Sequence, residues 1–134
     1  MKIAAVADTH AVLWYLYADP RLSDVAKSFI DRASAEGQKI AVSSISLVET
    51  VYLVDKGRVQ PSAYDYLKYV LDDPDRHLEE VAVSRAISDA LRNVPRSEVP
   101  DMPDRIIAAT AMHLNVPIVS RDRQIRSSVL GTIW

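Results

Sequence analysis

Cysteine is missing from all 134 residues, and that absence removes a disulfide framework, a thiolate metal site and a cysteine nucleophile together. It fits a reducing compartment. Glycine is scarce: Gly37, Gly57 and Gly131 are too few and too scattered for a glycine-rich phosphate loop, so Walker and dinucleotide fingerprints are excluded. No uncharged apolar stretch approaches the length of a membrane span, and no membrane partner is expected. The apolar start is broken by Asp8 and His10 too early for a secretory signal, which makes the cytoplasm the expected compartment. A strong charge of one sign is also lacking, since 16 basic and 18 acidic side chains leave a net −2. The balance shifts along the chain. Residues 85–134 carry seven basic and five acidic side chains, so a local basic face can form there despite the acidic average.

What is present suits one compact domain spanning residues 1–134, with 49% hydrophobic and 25% charged residues. Ile3–Ala7 is continuously apolar, as expected of a strand covered on both faces. Ile40–Val42, Val81–Val83 and Val116–Val119 read as further strands, with Thr132–Trp134 as a fifth. Between them lie helical patterns. Ser23 caps one that ends at Gly37, a second runs from Ile45 to a stop at Gly57, and Pro61-Ser62 opens a third. Ser84 caps a short one, and Pro103 at the first helical position starts the apolar helix through Ile106 to Leu114. The alternation argues for an α/β protein with a parallel sheet and helices on both faces.

In such a sheet, ligands bind beyond the carboxyl ends of the strands. Acidic residues recur at those junctions. Asp8 follows the first strand, Glu49 lies early in the helix after the second, Asp101 and Asp104 bracket the start of the long helix, and Asp122 follows the fourth strand. Bare carboxylates raise one another's pKa when gathered, unless a cation compensates them. A hard divalent ion such as Mg2+ or Mn2+ suits oxygen ligands and can serve phosphodiester hydrolysis. Each acid also has a structural reading. Asp8 and Asp101 can cap helices, Ser46-x-x-Glu49 matches a capping box, Asp104 can favour a helix dipole and Asp122 can serve a turn.

At these residues the sequence resembles the PIN-domain family, and within it the VapC-like toxin ribonucleases. The matching pieces are Ala7-Asp8-Thr9-His10-Ala11-Val12-Leu13-Trp14, Ser43–Glu49, Pro103–Ala111 and Ile118-Val119-Ser120-Arg121-Asp122, in family order and covering nearly the whole chain. The resemblance implies a three-layer α/β/α sandwich and Mg2+- or Mn2+-dependent cleavage of single-stranded RNA. It also implies a small VapB-like antitoxin that blocks the site, and commonly a homodimer. Carried over, Asp8, Glu49, Asp104 and Asp122 match the metal-binding acids, Thr9 matches a supporting hydroxyl residue, and Ser120 stands where many relatives have threonine. Asp101 matches a less uniform acid. The chain departs from the pattern at Met102-Pro103, which moves the proline by one place.

Arg105, Arg121, Arg123 and Arg126 can neutralise RNA phosphates around such an acidic centre, against the alternative of a solvated face with Arg105 in an ion pair. His10 reads as a surface or helix-start residue. The stretch Trp14–Tyr17 and the tyrosines Tyr64, Tyr66 and Tyr69 read as core, with at least one of Tyr64 and Tyr66 partly exposed for an antitoxin helix or second subunit. A haloacid-dehalogenase-like phosphatase needs a second aspartate where His10 stands, and a phospho-receiver needs a late lysine, whereas none follows Lys68. The remaining rival is an inactive PIN-like scaffold that binds RNA or protein.

Overall fold

A computed structural model describes residues 2–128 and 131–134; the side chains of Arg126, Ser127 and Ser128 lie outside that description. The elements run β1 (Ile3–Ala7), α1 (Thr9–Leu16), α2 (Asp24–Ala35), β2 (Lys39–Ser43), α3 (Ser44–Asp55), α4 (Ala63–Asp72) and β3 (Leu78–Val81). They continue with α5 (Arg85–Leu91), α6 (Met102–Leu114), β4 (Ile118–Val119), α7 (Arg123–Ser128) and β5 (Thr132–Ile133). The five strands form one parallel sheet in the order β3-β2-β1-β4-β5.

Helices cover both faces, and the side-chain alternation of the strands shows how. Ala5, Ala7, Ile40, Val42 and Val119 pack with α1, α2 and α4 through residues such as Val12, Ile30 and Leu67. Val6, Ala41 and Ile118 point the other way, onto α5, α6 and α7 through Ile87, Ile107 and Ile125. Both faces being buried explains why the inner strands read as unbroken apolar runs. The helix ends follow their local signals. Ser23 accepts a hydrogen bond from the Ala26 amide at 3.1 Å, and Gly37 takes a φ of 73° past the end of α2.

Two expectations shift. The third strand is Leu78–Val81 rather than Val81–Val83: Leu78 is buried, whereas Val83 is 43% exposed and its amide is held by the Ser44 hydroxyl at 3.1 Å. Helix α6 begins at Met102, so Pro103 is its second residue, and Asp101 caps it by accepting from the Asp104 amide at 3.3 Å. Proline is still tolerated there because first-turn amides have no intrahelical partner. Among the described residues no helix is long and apolar enough to cross a membrane.

The strand order fixes where a ligand can enter. From β1 the chain extends the sheet through β2 and β3 on one side, and through β4 and β5 on the other. The connections therefore diverge between β1 and β4, opening a crevice at their carboxyl ends.

Candidate active site

That crevice is where the acids fall. The Asp8 amide donates to the Val119 carbonyl at 3.1 Å, which continues the β1–β4 pairing past the end of β1 and brings Asp8 beside Ser120. One carboxylate oxygen of Asp8 caps α1 by accepting from the Ala11 amide at 2.8 Å. The structural reading of Asp8 thus holds. Ser120, fully buried, gives a second hydrogen bond to Asp8 and accepts one from the Asp122 amide at 3.0 Å. Asp122 in turn accepts from the Gln124 amide at 2.8 Å, a turn geometry that opens α7.

Glu49 arrives from α3. The capping-box reading fails, because the helix starts at Ser44 with Ser43 as its cap, its hydroxyl accepting from the Ile45 amide at 3.2 Å. The Glu49 carboxylate is instead bonded by the buried Thr9 hydroxyl, whose oxygen lies 2.9 Å from Ser46 Oγ. A carboxylate can only accept, so the single Thr9 proton serves Glu49. This link ties α1 to α3 and aims Glu49 at the end of β1.

Asp8, Thr9, Glu49, Asp101, Asp104 and Asp122 all line one cavity of about 500 Å3, together with His10, Trp14, Arg21 and Arg121. Like charges in a half-buried space disfavour ionisation. The Asp8 carboxyl is pushed up to about 6, chiefly by burial, against the pull of Ser120 and the Ala11 amide. Asp104 is pushed up to about 8, first by burial and then by Asp101, Asp122 and Glu49, with a hydrogen bond to Asp122 favouring its protonated form. Burial also raises Glu49, and it lowers His10, which is neutral at pH 7. Among the described residues no three of these acids stand close enough to form a ready-made metal cage. The donor set still fits a hard divalent ion: its oxygens are carboxylates, and at Asp8, Glu49 and Asp104 burial and neighbouring acids disfavour the ionised form, the deficit that a cation removes.

The basic residues separate. Arg121 lines the cavity with its guanidinium 4.8 Å from the centre of the Trp14 ring. Arg123 is exposed at the start of α7 and is not among the cavity residues, and the Arg126 side chain lies outside the described residues. Arg105 is a correction. Its Nη2 donates to the Leu91 and Val94 carbonyls at 3.1 and 3.0 Å, so the guanidinium pins the chain after α5 and, among the described residues, is neither at the cavity nor in an ion pair. Sequence reasoning missed Trp14 and Arg21 as cavity residues. Trp14 is 8% exposed and was legible only as core, and Arg21 sits in a turn without a motif.

A parallel 3-2-1-4-5 sheet with acids gathered at its switch point defines a class, and the chain belongs to the PIN domain family, whose pattern matches residues 5–128. Within that class it is homologous to the VapC ribonucleases: it is 30% identical over 120 residues to ribonuclease VapC22 of Mycobacterium tuberculosis (strain ATCC 25618 / H37Rv), covering 90% of this chain and 88% of that protein. Its fold is similar to that in the crystal structure of VapBC2 from Rickettsia felis bound to a promoter DNA fragment, with a TM-score of 0.68 and 19% identity over 98% of this chain and 100% of that one. A toxin-antitoxin complex from Klebsiella pneumoniae gives a TM-score of 0.69 at 19% identity over 98% and 97% of the two chains. FitAcB from Neisseria gonorrhoeae gives 0.62 at 16% identity over 96% and 95%.

Proposed function

We propose that this protein is a metal-dependent endoribonuclease, the toxin of a toxin–antitoxin pair, in which Asp8, Glu49, Asp104 and Asp122 hold Mg2+ or Mn2+. The observation that carries the reading is the meeting of these four acids, drawn from both halves of the chain, on one cavity at the β1–β4 switch point. The homology to ribonuclease VapC22 supplies the substrate class. When bound, such an ion supplies positive charge for a phosphoryl oxygen and makes water a better nucleophile near neutral pH.

The chain's own groups prepare that chemistry. The Ala11 amide and Ser120 fix the direction of the Asp8 carboxylate, and Thr9 does the same for Glu49. Asp104, whose hydrogen bond to Asp122 favours its protonated form, would have to ionise to serve beside the others as a ligand. Arg121 stands at the same cavity to meet the phosphate chain. For partners, the similar structures include toxin–antitoxin complexes, and we infer a VapB-like antitoxin and a homodimer here. Val48, Val51 and Tyr52, all exposed on one face of α3, offer apolar surface to a protein partner.

The test is cleavage of single-stranded RNA by purified protein with Mn2+ or Mg2+, beside Asp8→Asn and Asp104→Asn variants. Loss of a liganding carboxylate is expected to lower the rate at least about 100-fold. Cleavage that persists in both variants, or that is insensitive to chelator, overturns the mechanism. Mn2+ and RNA binding without any cleavage by the wild type would return the protein to the inactive-scaffold reading.

A further inference from the structure

The carboxylate cavity continues past its acids. A neighbouring groove of about 620 Å3 runs between α1 and the loop joining α3 to α4, lined in part by Leu13, Tyr17, Arg58 and Val59. It shares His10, Trp14 and Arg21 with the acidic cavity. Arg21 therefore belongs to both spaces.

Its position is fixed before any ligand arrives. Arg21 Nε and Nη2 donate to the two oxygens of Asp19 at 3.1 and 2.7 Å, and the Arg21 amide donates to Asp19 Oδ1 at 2.9 Å. The guanidinium carbon lies 5.1 Å from the centre of the Trp14 ring, itself held in the core. A guanidinium has five N–H donors. Asp19 takes one on Nε and one on Nη2, so among the described residues both donors of Nη1 and the second of Nη2 remain, on a side chain still 59% exposed. A braced arginine loses less rotamer freedom on binding than a free one, and its open edge suits a phosphate.

Arg58 is set by the backbone. The Gly57 amide bonds the Val54 carbonyl at 3.0 Å and the Arg58 amide bonds the Leu53 carbonyl at 2.9 Å, with φ of 67° at Gly57. This paired closure of α3 turns the chain sharply and delivers the exposed Arg58 to the groove wall. Arg21 thus stands where the acids' cavity and the groove meet, and Arg58 lies in the groove alone, whose lining also includes apolar Leu13 and Val59.

We propose that Arg21 is a substrate-positioning residue that leads single-stranded RNA out of the carboxylate centre into this groove, where Arg58 meets a further phosphate. The inference rests on the ribonuclease reading. An acidic peptide has no reason to end beside four carboxylates, whereas the reacting phosphate of an RNA must.

The experiment has two arms. In the first, binding of a fluorescent single-stranded RNA dodecamer to metal-free protein is followed by anisotropy as salt is raised. Arg21→Ala and Arg58→Ala are each expected to reduce the magnitude of the salt slope by about 0.7, the value for one phosphate contact on a single strand. Arg21→Lys keeps the slope but loses affinity, because an ammonium lacks the fork and the stacking on Trp14. In the second, KM for cleavage of the dodecamer with Mn2+ rises about 10-fold in Arg21→Ala and also rises in Arg58→Ala, kcat changes little, and the Arg58→Ala difference vanishes on a dinucleotide that cannot reach the groove. Unchanged slopes and KM in a wild type that cleaves RNA overturn the proposal and leave the nuclease standing. Reduced slopes in a protein that never cleaves remove the nuclease and keep the RNA path. Tighter binding of a hexa-aspartate peptide than of RNA, lost in Arg21→Ala, would make the groove a protein-docking surface and overturn the assignment.

Discussion

Asp31 on α2 and Asp104 on α6 are both helical aspartates with other charged groups close by, and the fold treats them in opposite ways. Asp31 accepts from Lys27 Nζ at 2.8 Å and from the Tyr15 hydroxyl at 2.7 Å, and these donors hold its carboxyl below the usual carboxylate range. Asp104 is partly buried and faces Asp101, Asp122 and Glu49, and its carboxyl is raised to about 8. Folding supplies everything the first anion needs. The second answers its surroundings by keeping a proton, and such strained acids gathered in one cavity mark a candidate site rather than a well-paired surface.

The sharpest way to break that contrast is to add the cation. Binding to the folded state alone raises stability by about 2.7 kcal/mol when free Mn2+ is 100 times its dissociation constant. The gain should depend on pH with a definite sign. Asp104 is raised from the ordinary value near 4 to about 8, so its folded form keeps a proton that the unfolded form has lost across that interval. Its stabilising contribution is complete below the unfolded value and disappears as pH rises through the folded one. Asp8, raised to about 6, behaves likewise over a lower window. His10 and His77 are both lowered and act in the reverse direction; their unfolded forms lose most of their charge only by about pH 7.5, so they offset part of the Asp104 loss just above pH 6.5 and little beyond it. Metal-free protein should therefore lose about 1–2 kcal/mol between pH 6.5 and 8, after allowance for solvent screening of Asp104. Mn2+ should flatten that slope and raise Tm more at pH 8. Thermal unfolding with chelator and with Mn2+ measures both, and a metal-free stability that rises across this interval would remove the strained-acid account.

How far the sequence discloses this contrast depends on burial. Ile3–Ala7 and Ile40–Val42 are visible because a doubly covered parallel strand must be apolar at every position, and the acids that follow them are then located by the strand ends alone. The third strand is displaced by three residues because it is an edge strand carrying exposed Glu79 and Glu80, so the apolar run just after it is the stronger signal. Helix α7 has no capping or periodic signal long enough to register. In the site, Asp8, Glu49, Asp104 and Asp122 were legible by position and kinship. Whether Arg105, Arg121 or Arg21 faces them depends on which way a long side chain turns, and no local pattern encodes that. Arg105 turns to two carbonyls, while Arg21 is turned by its neighbour Asp19.

Removing a charge from each member of the pair sharpens the comparison. Asp104→Asn takes away a carboxylate that metal-free protein holds at a disadvantage, so it is expected to raise stability at pH 8 by about 1 kcal/mol, or roughly 3–5 °C in Tm, while lowering cleavage. The gain should shrink as pH falls and vanish only below about pH 4, where the unfolded Asp104 is protonated as well. A destabilised Asp104→Asn protein at pH 8 would mean that its bonds outweigh the repulsion.

Asp31→Asn should do the opposite, and by less. The pair with Lys27 spans one helical turn, and both side chains are about half exposed, at 58% and 47%, so water already screens most of the attraction. The amide keeps an oxygen that can accept from Tyr15, which leaves only the charge on the Lys27 bond to lose. The expected cost is about 0.3–0.5 kcal/mol at neutral pH, shrinking further in high salt. Because the folded Asp31 pKa is lowered, the wild-type advantage should also fade as pH falls through that value, the reverse of the trend at Asp104. Urea unfolding of the two proteins at low and high salt reads this directly. A loss well above 1 kcal/mol would mean that Tyr15 and His77, whose rings meet edge to face 5.4 Å apart behind Asp31, depend on its charge for their packing, and that this end of the molecule is less self-sufficient than its hydrogen bonds imply.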